Sequence, residues 1–101
     1  MTSVGVARSV WLNPPYGRGQ MDKWMSVARR QTDHGATVVV LTFARTDTKW
    51  WHDHVPHATQ VRFLRGRLKF RRDGIEEHPA PAPSVLITFT PAGGPPAMVF
   101  G

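Results

Sequence analysis

The sequence predicts an α/β fold, and two observations carry that reading. An unbroken apolar run, Val38-Val39-Val40-Leu41, follows a segment with helical spacing, and a shorter apolar run, Ser9 to Leu12, precedes that segment. The order strand, helix, strand, helix, then strands implies a parallel pair joined by a crossover, followed by a more antiparallel region.

Each element has a local cause. The run from Ser9 to Leu12 stops at Asn13-Pro14-Pro15, where proline lacks a backbone N–H, so it reads as a strand ending in a loop. From Gln20 to His34, Met21, Trp24, Met25 and Ala28 recur at helical spacing, and Gly35 supplies a left-handed end. Ala36 to Phe43 suits a central parallel strand buried on both faces. Thr46 or Asp47 is placed to cap a short helix through about His54, closed by Pro56. Thr59 to Leu64 and Leu68 to Phe70 are strand candidates split by Arg65-Gly66-Arg67. Arg72-Asp73-Gly74 reads as a turn, Glu76 to Pro83 as a proline-rich loop, and Ser84 to Thr90 as a final strand. The domain is expected over 1–90. Residues 91–101, with Gly93-Gly94-Pro95-Pro96, are expected to form a loosely ordered tail from which Met98, Val99 and Phe100 can pack back. Ligands of such sheets bind beyond the carboxyl ends of strands, and Asn13 and Arg45 both follow strand ends.

Composition narrows the function classes. The 101 residues are 41% hydrophobic and 20% charged, which fits one globular domain. No run approaches the roughly 18 apolar residues of a membrane helix, and Met1 to Ala7 does not resemble a signal peptide, so a cytoplasmic protein is expected. Without cysteine, neither a disulfide framework nor a thiolate metal site can form. A net charge of +6 favours a polyanionic partner. Arg62, Arg65, Arg67, Lys69, Arg71 and Arg72 crowd together, interleaved with Phe63 and Phe70. Arg65, Arg67 and Lys69 are candidate phosphate contacts, with a solvated hairpin face as the other reading. Trp24, Trp50 and Trp51 are expected in the core or in helix packing. His52, His54 and His57 are expected at the surface, since their spacing matches no metal site.

Asn13-Pro14-Pro15-Tyr16 carries the most chemistry. By residue frequencies, a chance match arises in about one chain of this length in a thousand. An exocyclic ring amine is a poor nucleophile because its lone pair is delocalised into the ring. The side-chain carbonyl of Asn13 and the backbone carbonyl of Pro14 can both accept from its N–H bonds and stabilise charge developing on nitrogen. Consecutive prolines, Pro14 and Pro15, hold that loop in place. Tyr16 offers a flat face for a base swung out of a duplex.

Asn13-Pro14-Pro15-Tyr16-Gly17-Arg18 resembles the catalytic motif of amino-methyltransferases that use S-adenosylmethionine. More narrowly, Val10 to about Thr90 resembles the phage-type DNA N6-adenine methyltransferase (Dam) family. The further matches are Trp11-Leu12, Phe43-Ala44-Arg45-Thr46, Trp51-His52, the run Phe63 to Phe70, and Ala82-Pro83-Ser84-Val85-Leu86-Ile87. The resemblance implies methyl transfer from S-adenosylmethionine to adenine N6 in DNA, in a phage- or prophage-encoded protein of a bacterial cell. It also implies the class I methyltransferase fold, Rossmann-like, with a mixed, mostly parallel sheet and flanking helices. Relatives carry an Asp-Pro-Cys-like element upstream of the catalytic strand, and the residues before Asn13 hold none. The chain is therefore expected to be the C-terminal, substrate-side part of that fold, with no cofactor-binding residues assigned. It would be a fragment, a decayed gene or one part of a split enzyme. Loss of half the sheet would expose an apolar edge around Val38 to Leu41 and invite a homodimer or a completing second chain. Arg45 would meet a DNA phosphate or the donor carboxylate, or pair with Asp47 or Asp53. A catalytically inactive DNA-binding remnant is the rival reading, and the amine of cytosine or of a protein glutamine is an alternative target.

Overall fold

Strand β1, Ser9–Leu12, ends where Pro14 and Pro15 remove the N–H groups a ladder needs. The computed structural model describes residues 8–15, 19–66 and 83–101, together with the strand pairing of 69–72 and 75–79. Helix α1, Gln20–Asp33, buries Met21, Met25, Ala28 and Thr32, which share one face at i, i+4, i+7 and i+11. It stops at Gly35, whose φ of 94° an L side chain rarely adopts. The N–H of Gly35 donates to Thr32 O at 2.9 Å and that of Ala36 to Gln31 O at 3.2 Å. Strand β2, Thr37–Phe43, follows directly.

Helix α2, Lys49–His54, is capped by Thr48, whose hydroxyl oxygen accepts from the Trp51 N–H at 3.4 Å. The cap falls later than Thr46 or Asp47 because the Thr48 N–H and hydroxyl first close a turn onto Arg45 O, at 3.1 and 2.7 Å. Pro56 sits inside the 3-10 turn Val55–His57 that ends the helical segment. The remaining strands are β3, Gln60–Phe63, β4, Lys69–Arg72, β5, Ile75–Pro79, β6, Ser84–Phe89, and β7, Ala97–Phe100. Within Glu76 to Pro83, expected as loop, residues 76–79 belong to β5, which pairs with β4 in a separate hairpin; Pro79 sits at the end of its strand, where a missing donor is tolerated. Among the described residues no helix is long and apolar enough to cross a membrane.

The main sheet has the order β1-β2-β6-β3-β7. β1 pairs parallel with β2, and β3 with β7, whereas β6 runs antiparallel between β2 and β3. The sheet is thus mixed rather than mostly parallel. Its cause is chain direction: the β4–β5 hairpin starts after the carboxyl end of β3 and returns near that edge, so β6 must run backwards. β2 is central, but it is parallel to one neighbour only and its burial alternates. Val38 to Leu41 therefore lies inside the sheet, and β1 forms the edge.

Alternation also locates the core. Val38, Val40 and Thr42 of β2 stand opposite Phe89, Ile87 and Val85 of β6, all of them buried, and Val61 of β3 faces Ile87. Met21, Met25 and Ala28 of α1 join Trp51, Val55 and Ala58 over this surface in one cluster. Each fully buried side chain such as Ile87 or Phe89 contributes about 1.5–3 kcal/mol. The residues of opposite parity, Val39, Leu41, Leu86 and Arg62, are only half-buried, and Trp11 is 69% exposed. Among the described residues both helices cover the same face.

Within 91–101, expected as a loose tail, Ala97–Phe100 forms a paired strand, and the ring of Phe100 stacks on that of Phe63 with centroids 5.2 Å apart. Thr59 anchors the preceding turn: its hydroxyl lies 2.7 Å from that of Thr90, and it donates to Gly93 O at 3.2 Å. Gly94 permits the approach, since a Cβ there would sit 2.2 Å from Pro56 O and 2.9 Å from Ala58 O. Gly94→Ala should therefore cost about 1–3 kcal/mol. An unshifted denaturant midpoint would show that this contact does not hold the turn.

Candidate functional site

Strands β1, β2 and β3 point the same way, so their carboxyl ends share one edge of the sheet. The loops leaving that edge carry Asn13 after β1, Arg45 after β2 and Arg65 after β3. β2 is next to β1 and β3 is three places away, about 5 and 14 Å at the usual strand spacing. The β4–β5 hairpin leaves β3 at the same edge, and Lys69 lies near its base, opposite Pro79. Tyr16 and Arg67 lie outside the described residues.

Asn13 is exposed, and among the described residues its side chain makes no hydrogen bond; Pro14 behind it is buried and Pro15 exposed. A pocket of about 120 Å³ opens here, lined by Trp11, Leu12, Asn13, Pro14, Pro15 and Trp24. Larger hollows lie elsewhere. One of about 430 Å³ lies between Gly19, Met21 and Asp22 at the start of α1 and Lys49, Trp50 and Asp53 of α2. Another, of about 340 Å³, lies at the opposite end of the sheet beside Thr90 and Gly93. The small pocket is the candidate site because the Asn-Pro-Pro loop lines it.

Arg45 and Arg65 are exposed and make no ion pair among the described residues, which leaves both charges open to an anion. The Arg45 guanidinium lies 5.8 Å from the centroid of the Phe43 ring. Asp53, one of its expected partners, pairs instead with Lys49 at 2.5 Å. That hydrogen bond holds the Asp53 carboxyl below its ordinary value and raises the Lys49 ammonium above its own. The contribution of this exposed pair is present at neutral pH. It is lost as pH falls through the lowered Asp53 value or rises through the raised Lys49 value.

The histidines divide. His52 and His57 are exposed as expected, but His54 is 5% exposed. Its Nδ1 lies 3.2 Å from Arg29 Nη1, and its Nε2 lies 2.8 Å from Asp22 Oδ1. A guanidinium can only donate, so Nδ1 accepts and the proton sits on Nε2, donated to Asp22. This network ties α1 to α2 over separations of 25 and 32 residues, and no local spacing announces it. No group of three or more metal-binding side chains occurs among the described residues.

Trp51 is buried and Trp50 packs against the core, as expected of them. Trp24 is placed differently. It is half-buried, about 60° around α1 from Met21, on the flank where Arg8 donates to Gln31 at 2.7 Å. That flank overhangs β1.

An α/β sheet with an Asn-Pro-Pro loop and two exposed arginines along one carboxyl edge places these residues where ligands of such sheets bind. The family model described as DNA N-6-adenine-methyltransferase (Dam) matches residues 3–99, and the chain belongs to that family. No curated protein and no solved structure matches it.

Because His54 satisfies two partners in a buried position, His54→Ala should lower stability by about 1–3 kcal/mol. Urea unfolding measures this, and a midpoint equal to that of the parent chain would show that the network does not brace the helices.

Proposed function

We infer that the chain carries the acceptor side of a site-specific DNA adenine-N6 methyltransferase whose methyl donor is S-adenosylmethionine. The observation that carries this reading is the exposed Asn13 side chain before buried Pro14, without a hydrogen-bond partner among the described residues, in a chain of the Dam family. Asn13 Oδ1 and the Pro14 carbonyl accept the two N–H bonds of the target amine, which favours the geometry in which its lone pair localises. Pro15 restricts the loop so that little reorganisation is needed, and Tyr16 stacks on the extruded base. Arg45 and Arg65 neutralise phosphates along the same edge, and Arg67 and Lys69 serve as further phosphate contacts, giving affinity and register rather than sequence readout.

The described residues do not build a donor pocket beside Asn13. The space there is about 120 Å³, whereas pockets for drug-sized ligands measure about 300–1,000 Å³. The roles assigned to the described residues are therefore those of the acceptor side. The donor site would be completed on the open side of β1 by a second copy or a second chain. The same shortage of space favours the other reading, a DNA-binding remnant without activity.

The test incubates the folded full chain with S-adenosylmethionine and adenine-containing duplex, at protein concentrations high enough for copies to associate. DNA digests are then scored for N6-methyldeoxyadenosine, beside calorimetric titration with the donor. The reading expects methylated adenine, reduced about 10²- to 10³-fold by Asn13→Ala with DNA affinity kept. No donor heat and no methylated adenine from a chain that still binds DNA would leave the remnant.

A further inference from the structure

The geometry points to Trp24 as a contact for an adenine ring at the Asn13 pocket, an assignment that rests on the proposed acceptor role of Asn13. Trp24 recurs with Met21, Met25 and Ala28 at helical spacing, yet it lies off the buried stripe those residues form with Thr32. A tryptophan placed to fill the core would lie in that stripe. This one is half-buried on the flank of α1 above β1, the edge strand, where no further strand lies beneath it among the described residues. Its indole N–H makes no hydrogen bond among the described residues, although a buried indole ordinarily finds a partner.

The pocket supplies the second observation. Its walls are Trp24 from the helix layer, Trp11 from the strand and the loop Asn13 to Pro15 between them. Trp11 pairs with Val39, so it leaves the face opposite the helices, and it is 69% exposed. Two tryptophans, one from each layer of the fold, thus line the pocket of an amide that makes no hydrogen bond among the described residues. At about 120 Å³ the pocket takes one flat ring system rather than a whole nucleotide or cofactor. An aromatic wall beside paired hydrogen-bond acceptors is the chemistry that holds an aminopurine, stacked on its face and fixed through its amine. Such a ring has two sources in this reaction, the target base and the adenosyl group of the donor.

The test is two-dimensional NMR of the ¹⁵N-labelled full chain. Its four tryptophans give four indole N–H signals, assigned by single Trp→Phe variants. The chain is titrated separately with 2′-deoxyadenosine, 2′-deoxycytidine and S-adenosylmethionine. The expected result is that the Trp24 indole and the Asn13 side-chain amide move together with deoxyadenosine and not with deoxycytidine. Trp24→Leu should weaken that response at least about fivefold, while Trp24→Phe keeps most of it. Movement of Trp24 with the donor but not with the nucleoside would keep the adenine contact and assign it to the donor. A shift of Asn13 with Trp24 silent to every titrant would overturn the inference and spare the acceptor role of Asn13. Silence of both residues in a folded chain would overturn the two together.

Discussion

The structure depends on the shared direction of β1, β2 and β3. Parallel strands cannot be joined by tight turns, so each connection must climb over the sheet, and right-handed crossovers place α1 and α2 on one face. The antiparallel β6 fills the gap between β2 and β3 and closes the ladder without altering those directions. As a result, separate loops leave one carboxyl edge, and Asn13, Arg45 and Arg65 emerge together although they are far apart in the chain.

The same arrangement leaves surfaces unmatched. Helices cover one face of the sheet, and β1 ends the ladder with its outer backbone groups unpaired among the described residues. A domain of this size has little stability to spare, so its organising contacts are few and specific. The β2–β6 pairing holds the core, the Asp22–His54–Arg29 network joins the helices, and Gly94 lets the last turn lie against Pro56 and Ala58. The open side of β1 lies beside the Asn-Pro-Pro loop. An edge strand there is a surface on which another chain can add.

Much of the fold was legible because local chemistry fixed it. The bounds of β1 follow from Pro14 and Pro15, and the end of α1 from Gly35. Ser84–Phe89 alternates as a strand facing a core should. What was not legible depended on distant partners. Nothing near β2 indicates that its second neighbour runs antiparallel, since that follows from where the β4–β5 hairpin returns the chain. The Gly-Gly-Pro-Pro segment reads as loose until Thr59, Pro56 and Ala58 are seen to hold it. His54 is hidden because both of its partners lie on another helix. In the candidate site, the position of Asn13 at the carboxyl edge was legible from its strand and the prolines after it. Trp24 was not, because helical spacing groups it with Met21 and Met25, and only the end of the sheet at β1 sets it apart.

The central claim is that the carboxyl edge of the sheet is the surface that meets DNA. Hydrogen–deuterium exchange on the full chain, with and without an adenine-containing duplex at low salt, tests it most directly. The account predicts slowed exchange in peptides that carry Asn13, Arg45 and Arg65, and none in those that carry Thr59, Thr90 and Gly93 at the opposite edge. Protection confined to that opposite edge, or to the uncovered face around Val39 and Leu86, would contradict it.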